Sequence, residues 1–76
     1  MTVEVSASGG TRVAAPFAGA LTFLVPDGAA VCTGQTIAIV EAMKMEAGIT
    51  APRPGVLALA GADGPVEGGE LLAVIR

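Results

Sequence analysis

Residues 15–21 read Ala15-Pro16-Phe17-Ala18-Gly19-Ala20-Leu21, and residues 51–57 read Ala51-Pro52-Arg53-Pro54-Gly55-Val56-Leu57. The likeness continues outward from this pair. Asp27-Gly28 recurs as Asp63-Gly64 at the same offset. After a one-residue gap, Val31 aligns with Val66, Gly34 with Gly69, and Thr36-Ile37-Ala38-Ile39-Val40 with Leu71-Leu72-Ala73-Val74-Ile75. A repeat that keeps register across both halves of a chain means one supersecondary unit used twice.

Each unit reads as strands. The residue before proline is pushed toward extended conformations, so Ala-Pro opens an extended segment. Leu21 and Phe23 alternate in the first unit and Leu57 and Leu59 in the second, the period of a half-buried strand. Pro26-Asp27-Gly28 and Asp63-Gly64-Pro65 are turn sequences. A very short strand around Val31 or Val66 then leads through Gly34 or Gly68-Gly69 into a β-branched strand ending at Val40 or Ile75. No capping box precedes a 3.6-residue pattern, and Gly and Pro interrupt every long window, so no helix is expected. The prediction is an all-β fold: a flattened barrel-sandwich hybrid of two four-stranded antiparallel sheets with pseudo-two-fold symmetry, whose closure protects sheet edges. Residues 1–10 stand outside the repeat. Thr2 to Ser6 alternates like a strand and Ala7-Ser8-Gly9-Gly10 has linker composition, so 1–10 is expected to be a tether or an added edge strand, and 11–76 the domain.

Between the units lies Glu41-Ala42-Met43-Lys44-Met45-Glu46. It joins an expected strand over 36–42 to one over 45–50, so a two-residue turn on Met43-Lys44 is required. Tight hairpin turns favour positive φ, which Met and Lys adopt poorly; the pair is therefore an unexpected choice for a turn. The register sets Val40 against Ala47 and Glu41 against Glu46, a mildly unfavourable like-charge pairing. Met45, Ala47 and Ile49 share the inner face with Val40 and Ala38, while Ile37 and Ile39 fall on the glutamate side and need cover from elsewhere. Lys44 is the only lysine in the chain, and it sits at the tip with flexible, polarisable methionines on both sides.

Composition bounds what such a tip can do. Seventy-six residues make one domain, and a chain of that size buries only about 60% of its unfolded surface. With 53% hydrophobic but only 3% aromatic residues, the core must come from Val, Ile, Leu and Ala, with Phe17 and Phe23 as its large pieces. The net charge is −3, and Arg12, Lys44, Arg53 and Arg76 are scattered along the sequence, which argues against a groove that tracks phosphates, and so against nucleic acid. The chain has no histidine, so it lacks the commonest general base and metal ligand. With no nucleophile beside a base, no catalytic residue and no metal site are expected. Cys32 has no internal disulfide partner and no zinc spacing; it aligns with Glu67 on a short strand, where a packing role is expected. A lone cysteine, no signal-peptide pattern at Met1-Thr2-Val3-Glu4-Val5 and no apolar run of membrane length lead to a cytoplasmic expectation.

The hexapeptide at 41–46 resembles the attachment motif of biotinyl domains, the biotin carboxyl carriers of biotin-dependent carboxylases, decarboxylases and transcarboxylases. The resemblance covers roughly residues 13–76, through the Ala-Pro-x-x-Gly openings, the Gly-x-x-Val-x-x-Gly-(Gln/Glu) spacing at 28–35, and a hairpin lysine midway. It implies a flattened β-barrel, biotin as covalent cofactor on Lys44, and Met43 and Met45 bordering that cofactor. It also implies a surface at Glu41, Ala42 and Glu46 read by biotin protein ligase. Biotin carboxylase and carboxyltransferase domains or subunits would be the partners between which a carboxyl group is shuttled. A lysine amine is mostly protonated at neutral pH and needs an enzyme to activate it, so the domain would supply position and the ligase the reaction. Two departures stand out. The distal turns read Asp-Gly where the family usually has Gly-Asp, which should alter turn geometry more than function. The Phe23–Gly28 connection has no room for the protruding thumb of some acetyl-CoA carboxylase carriers, which favours the thumbless group. The nearest alternatives are a lipoyl carrier domain, whose motif usually reads Asp-Lys-Ala, and an unmodified barrel-sandwich module with a structural or adaptor role.

Overall fold

The computed structural model describes residues 10–76; the expectations for 1–10 lie outside the described residues but for Gly10. Eight strands follow in order: β1 (Thr11–Ala14), β2 (Gly19–Phe23), β3 (Ala30–Val31), β4 (Thr36–Ala42), β5 (Met45–Thr50), β6 (Gly55–Leu59), β7 (Gly64–Val66) and β8 (Leu71–Ile75). They form two four-stranded antiparallel sheets, β1-β8-β6-β3 and β5-β4-β2-β7, packed as a flattened sandwich and not closed into a barrel. No helix occurs among the described residues. The predicted fold class and the 36–42 and 45–50 strand limits are those observed, but the expected closure is not: β1, β3, β5 and β7 remain edge strands.

The units do not each make a sheet. Each contributes two strands to both sheets, so β1 and β3 of the first unit lie with β6 and β8 of the second. The pseudo-two-fold extends to individual hydrogen bonds. Gly34 N–H donates to the Ala51 carbonyl at 2.8 Å, and its mate Gly69 donates to that of Ala15 at 2.8 Å. Cys32 N–H donates to Gln35 Oε1 at 2.9 Å, as Glu67 N–H does to Glu70 Oε1 at 2.9 Å. Asp27 Oδ1 accepts from Leu59 N–H at 2.8 Å, and Asp63 Oδ1 from Phe23 N–H at 2.9 Å. The inverted Asp-Gly order thus has a structural result: each carboxylate ties its own turn to a strand of the opposite unit.

The core is aliphatic, and Leu21, Ile37, Val40, Leu57, Leu72 and Ile75 are its largest fully buried side chains. Phe17 and Phe23 are only partly buried against it, a correction to their expected central place. Both flank loops, where a ring covers the rim of a thin sandwich more readily than it fits between sheets. Ile37 is a second correction. Alternation set it on the glutamate side, yet it is buried like its neighbour Ala38. The register steps from Thr36↔Thr50 to Ala38↔Ile49, leaving Ile37 as the extra residue of a bulge, which lets both neighbours face inward. Leu72 repeats the device, since β1 and β8 step from Val13↔Ala73 to Ala14↔Leu71. Cys32 is the third correction: it is exposed just past β3, in the turn leading to Gly34. Arg53 and Arg76 are exposed, as expected of surface charges.

Candidate functional site

The hairpin of β4 and β5 carries the residues singled out from the sequence. Its register is Val40↔Ala47, Glu41↔Glu46 and Ala42↔Met45, so Met43 and Lys44 alone make the turn. No non-glycine residue among those described has positive φ, which removes the expectation of a left-handed backbone at the tip. The types I′ and II′ that match strand twist, and type II, all need positive φ at a central residue; the turn is built instead on negative φ at both residues. Met and Lys adopt that geometry without steric penalty.

Side chains on the hairpin divide by face. Val40 is fully buried, Ala42 and Ala47 are half-buried, and Met45 at the end of the same inner row is 54% exposed. Met45 thus ends the inner row where it runs out to solvent. Met43 points off the tip at 94% exposure. Lys44, Glu41 and Glu46 are exposed, with the two glutamates opposed on the outer face. Among the described residues Lys44 has no side-chain hydrogen bond or ion pair.

The hairpin is anchored at its base by a close approach of β2 that alternation and turn signals do not reveal. Gly19 pairs beside Ala20↔Glu41, and a Cβ on it would meet the Glu41 carbonyl oxygen at 2.6 Å. Only glycine lets β2 lie this near β4. Gly55 stands in the same relation to the Arg76 carbonyl oxygen and the Ile75 side chain. The recurrence of glycine in both Ala-Pro-x-x-Gly openings was the available signal. The β7–β8 turn also lies at this end, because Val66 pairs with Gly19 and Gly68 approaches the Phe17 backbone. Glu67 and Glu70 therefore join Glu41 and Glu46 around the Lys44 end.

The described residues enclose no pocket and gather no group of carboxylates, Cys or His able to hold a metal. No described helix is long and apolar enough to cross a membrane. What the hairpin offers is one exposed primary amine at the tip of a two-stranded ribbon. Residues 2–75 match a protein-family model described as biotin-requiring enzyme, which comprises biotin and lipoyl attachment domains. A search of curated proteins gave no significant match.

Proposed function

Since the chain belongs to this family of biotin and lipoyl attachment domains, we propose that it carries biotin covalently on Lys44 and shuttles a carboxyl group between the carboxylase and carboxyltransferase sites of a biotin-dependent enzyme. The family makes it a covalent carrier domain; the choice of biotin over lipoate rests on the Met43-Lys44-Met45 sequence at the tip of the β4–β5 hairpin. A lone lysine at the tip of a ribbon fits a cofactor joined through an amide, because among the described residues none bonds to the amine and no pocket encloses the arm.

The resemblance of the hexapeptide at 41–46 supplies the roles in this reading. Lys44 supplies the nitrogen of the amide. Met43, free of the domain, and Met45, at the end of the inner row, border the arm with polarisable, adaptable surface. Glu41, Ala42 and Glu46 form the adjoining surface read by biotin protein ligase. When bound, biotin supplies a ureido nitrogen that accepts and gives up the carboxyl group. The domain contributes reach and local concentration, because tethering makes each encounter with the two partner sites effectively intramolecular.

Co-expression with a biotin protein ligase tests this reading. The expected outcome is a streptavidin gel shift and an intact-mass increase of one biotin, both absent from Lys44→Arg. An unmodified wild-type chain, or one that takes lipoate under the same conditions, rules it out.

A further inference from the structure

The pseudo-two-fold supplies an internal control for surface chemistry. The outer faces of the two sheets share one backbone plan and register, so they differ only in side chains. On the β5-β4-β2-β7 sheet, Glu41 and Glu46 occupy the outer face. On the other sheet Arg76 is the mate of Glu41, and Arg12 stands where its mate is Gly48.

The outer face of β1-β8-β6-β3 has two adjoining rows. Arg12 pairs with Val74, which pairs with Ala58. Ala30 pairs with Val56, whose N–H donates to the Arg76 carbonyl at 2.8 Å and whose carbonyl accepts from Arg76 N–H at 2.9 Å. The result is a strip of valine and alanine, half-buried to exposed with Val56 at 50%, bordered by two exposed guanidinium groups. Arg53 lies at the end of this sheet, with Nη1 3.5 Å from Oγ1 of Thr11, a residue of the inward-facing row of β1 next to Arg12. Three of the chain's four cations thus collect here. The positions equivalent to Cys32 and Gln35 at this end hold Glu67 and Glu70 at the hairpin end. β4 begins beside this end, because Gly34 bonds to Ala51, and runs its seven residues to the Lys44 turn. At strand rise that is about 20 Å.

We propose that the outer face of the β1-β8-β6-β3 sheet is a docking surface for a protein partner that presents carboxylates around an aliphatic patch. Charge complementarity selects this occupant. Arginine binds carboxylate in a bidentate fork while its stem and plane lie over apolar surface, and arginine is enriched where protein surfaces bury one another. A two-fold pairing with a second copy would set these arginines against each other. Docking on this face leaves the hairpin exposed about a strand length away, so a held domain could still present Lys44. The proposal does not depend on which group Lys44 carries.

A synthetic peptide of alternating glutamate and leucine, titrated into the 15N-labelled full chain, provides the test. Amide shifts are expected at Arg12, Val56, Ala58, Val74 and Arg76, absent with a lysine–leucine peptide and weakened by salt. The double variant Arg12→Glu, Arg76→Glu should bind about tenfold more weakly or worse. Both residues are exposed, so an unchanged amide spectrum elsewhere confirms its fold, and mass spectrometry follows Lys44 modification separately. Absence of binding, shifts centred on 41–46, or indifference to the charge reversal overturns the proposal. So does a nuclear Overhauser contact from Val3 or Val5 to Val56, which would give the face to the chain's own N-terminal residues, or a peptide-free dimer that covers it.

Discussion

Asp27 Oδ1 accepts the backbone N–H of Leu59 at 2.8 Å, joining a turn of the first repeat unit to a strand of the second. Its mate, Asp63 to Phe23 at 2.9 Å, closes the reciprocal link. Because the sheets interleave the units, these bonds act between strands that lie far apart in sequence. Asp27→Ala and Asp63→Ala should each cost about 0.5–1.5 kcal/mol, the usual net worth of one hydrogen bond. In urea unfolding the midpoint should fall with an unchanged slope. Equal midpoints for wild type and variants would show that the links contribute nothing.

Gly19→Ala and Gly55→Ala form a matched pair. Each places a methyl against backbone in one sheet, and overpacking of this kind costs about 1–3 kcal/mol. The two should lower the melting temperature alike. Only Gly19→Ala presses on Glu41 at the base of the hairpin, so it alone should slow modification of Lys44 under conditions where both variants remain folded. Equal modification rates would remove Gly19 from the presentation of the lysine.

Met43 and Met45 should separate. Met43 touches little of the domain, so Met43→Ala should shift stability by no more than about 0.5 kcal/mol. Any loss it causes should appear in turnover of the assembled enzyme. Met45→Ala uncovers part of the inner row and should lower the urea midpoint measurably more than Met43→Ala. The reverse order would contradict the faces assigned to the two side chains.

Ile37 and Ile39 test the bulge. Strict alternation makes them equivalent, whereas the structure buries Ile37 and leaves Ile39 half-exposed. Ile37→Ala should cost about 2–5 kcal/mol as a buried truncation, and Ile39→Ala clearly less. Similar losses would argue for an unbroken β4–β5 ladder.

Attachment of biotin replaces a cationic amine with a neutral amide. The net charge should move from −3 to −4, one cation fewer. On anion exchange at neutral pH the modified chain should elute later than the unmodified one, and Lys44→Gln should elute close to the modified form. Co-elution of modified and unmodified chains would mean that the amine had not been consumed.

The sequence by itself determined the number of units, their strands and the hairpin that joins them. These are local matters: Ala-Pro openings, Asp-Gly turns and two-residue alternation act within a few residues, and the repeat shows each pattern twice. It also singled out Lys44, because one lysine between two methionines is visible without coordinates. Tertiary structure decided how the units combine. Interleaving places β1 and β3 with β6 and β8, and no local preference specifies which strands pair across the repeat. It decided that Ile37 turns inward, because a bulge depends on the partner's register, and that Cys32 is exposed where packing was expected. It set the geometry of the Met43-Lys44 turn, where positive φ was anticipated and none occurs. Only the fold brought Arg12, Arg53 and Arg76 to one end of the β1-β8-β6-β3 sheet and Glu41, Glu46, Glu67 and Glu70 to the Lys44 end. Charges scattered along a chain acquire a common field only when strand pairing makes them neighbours.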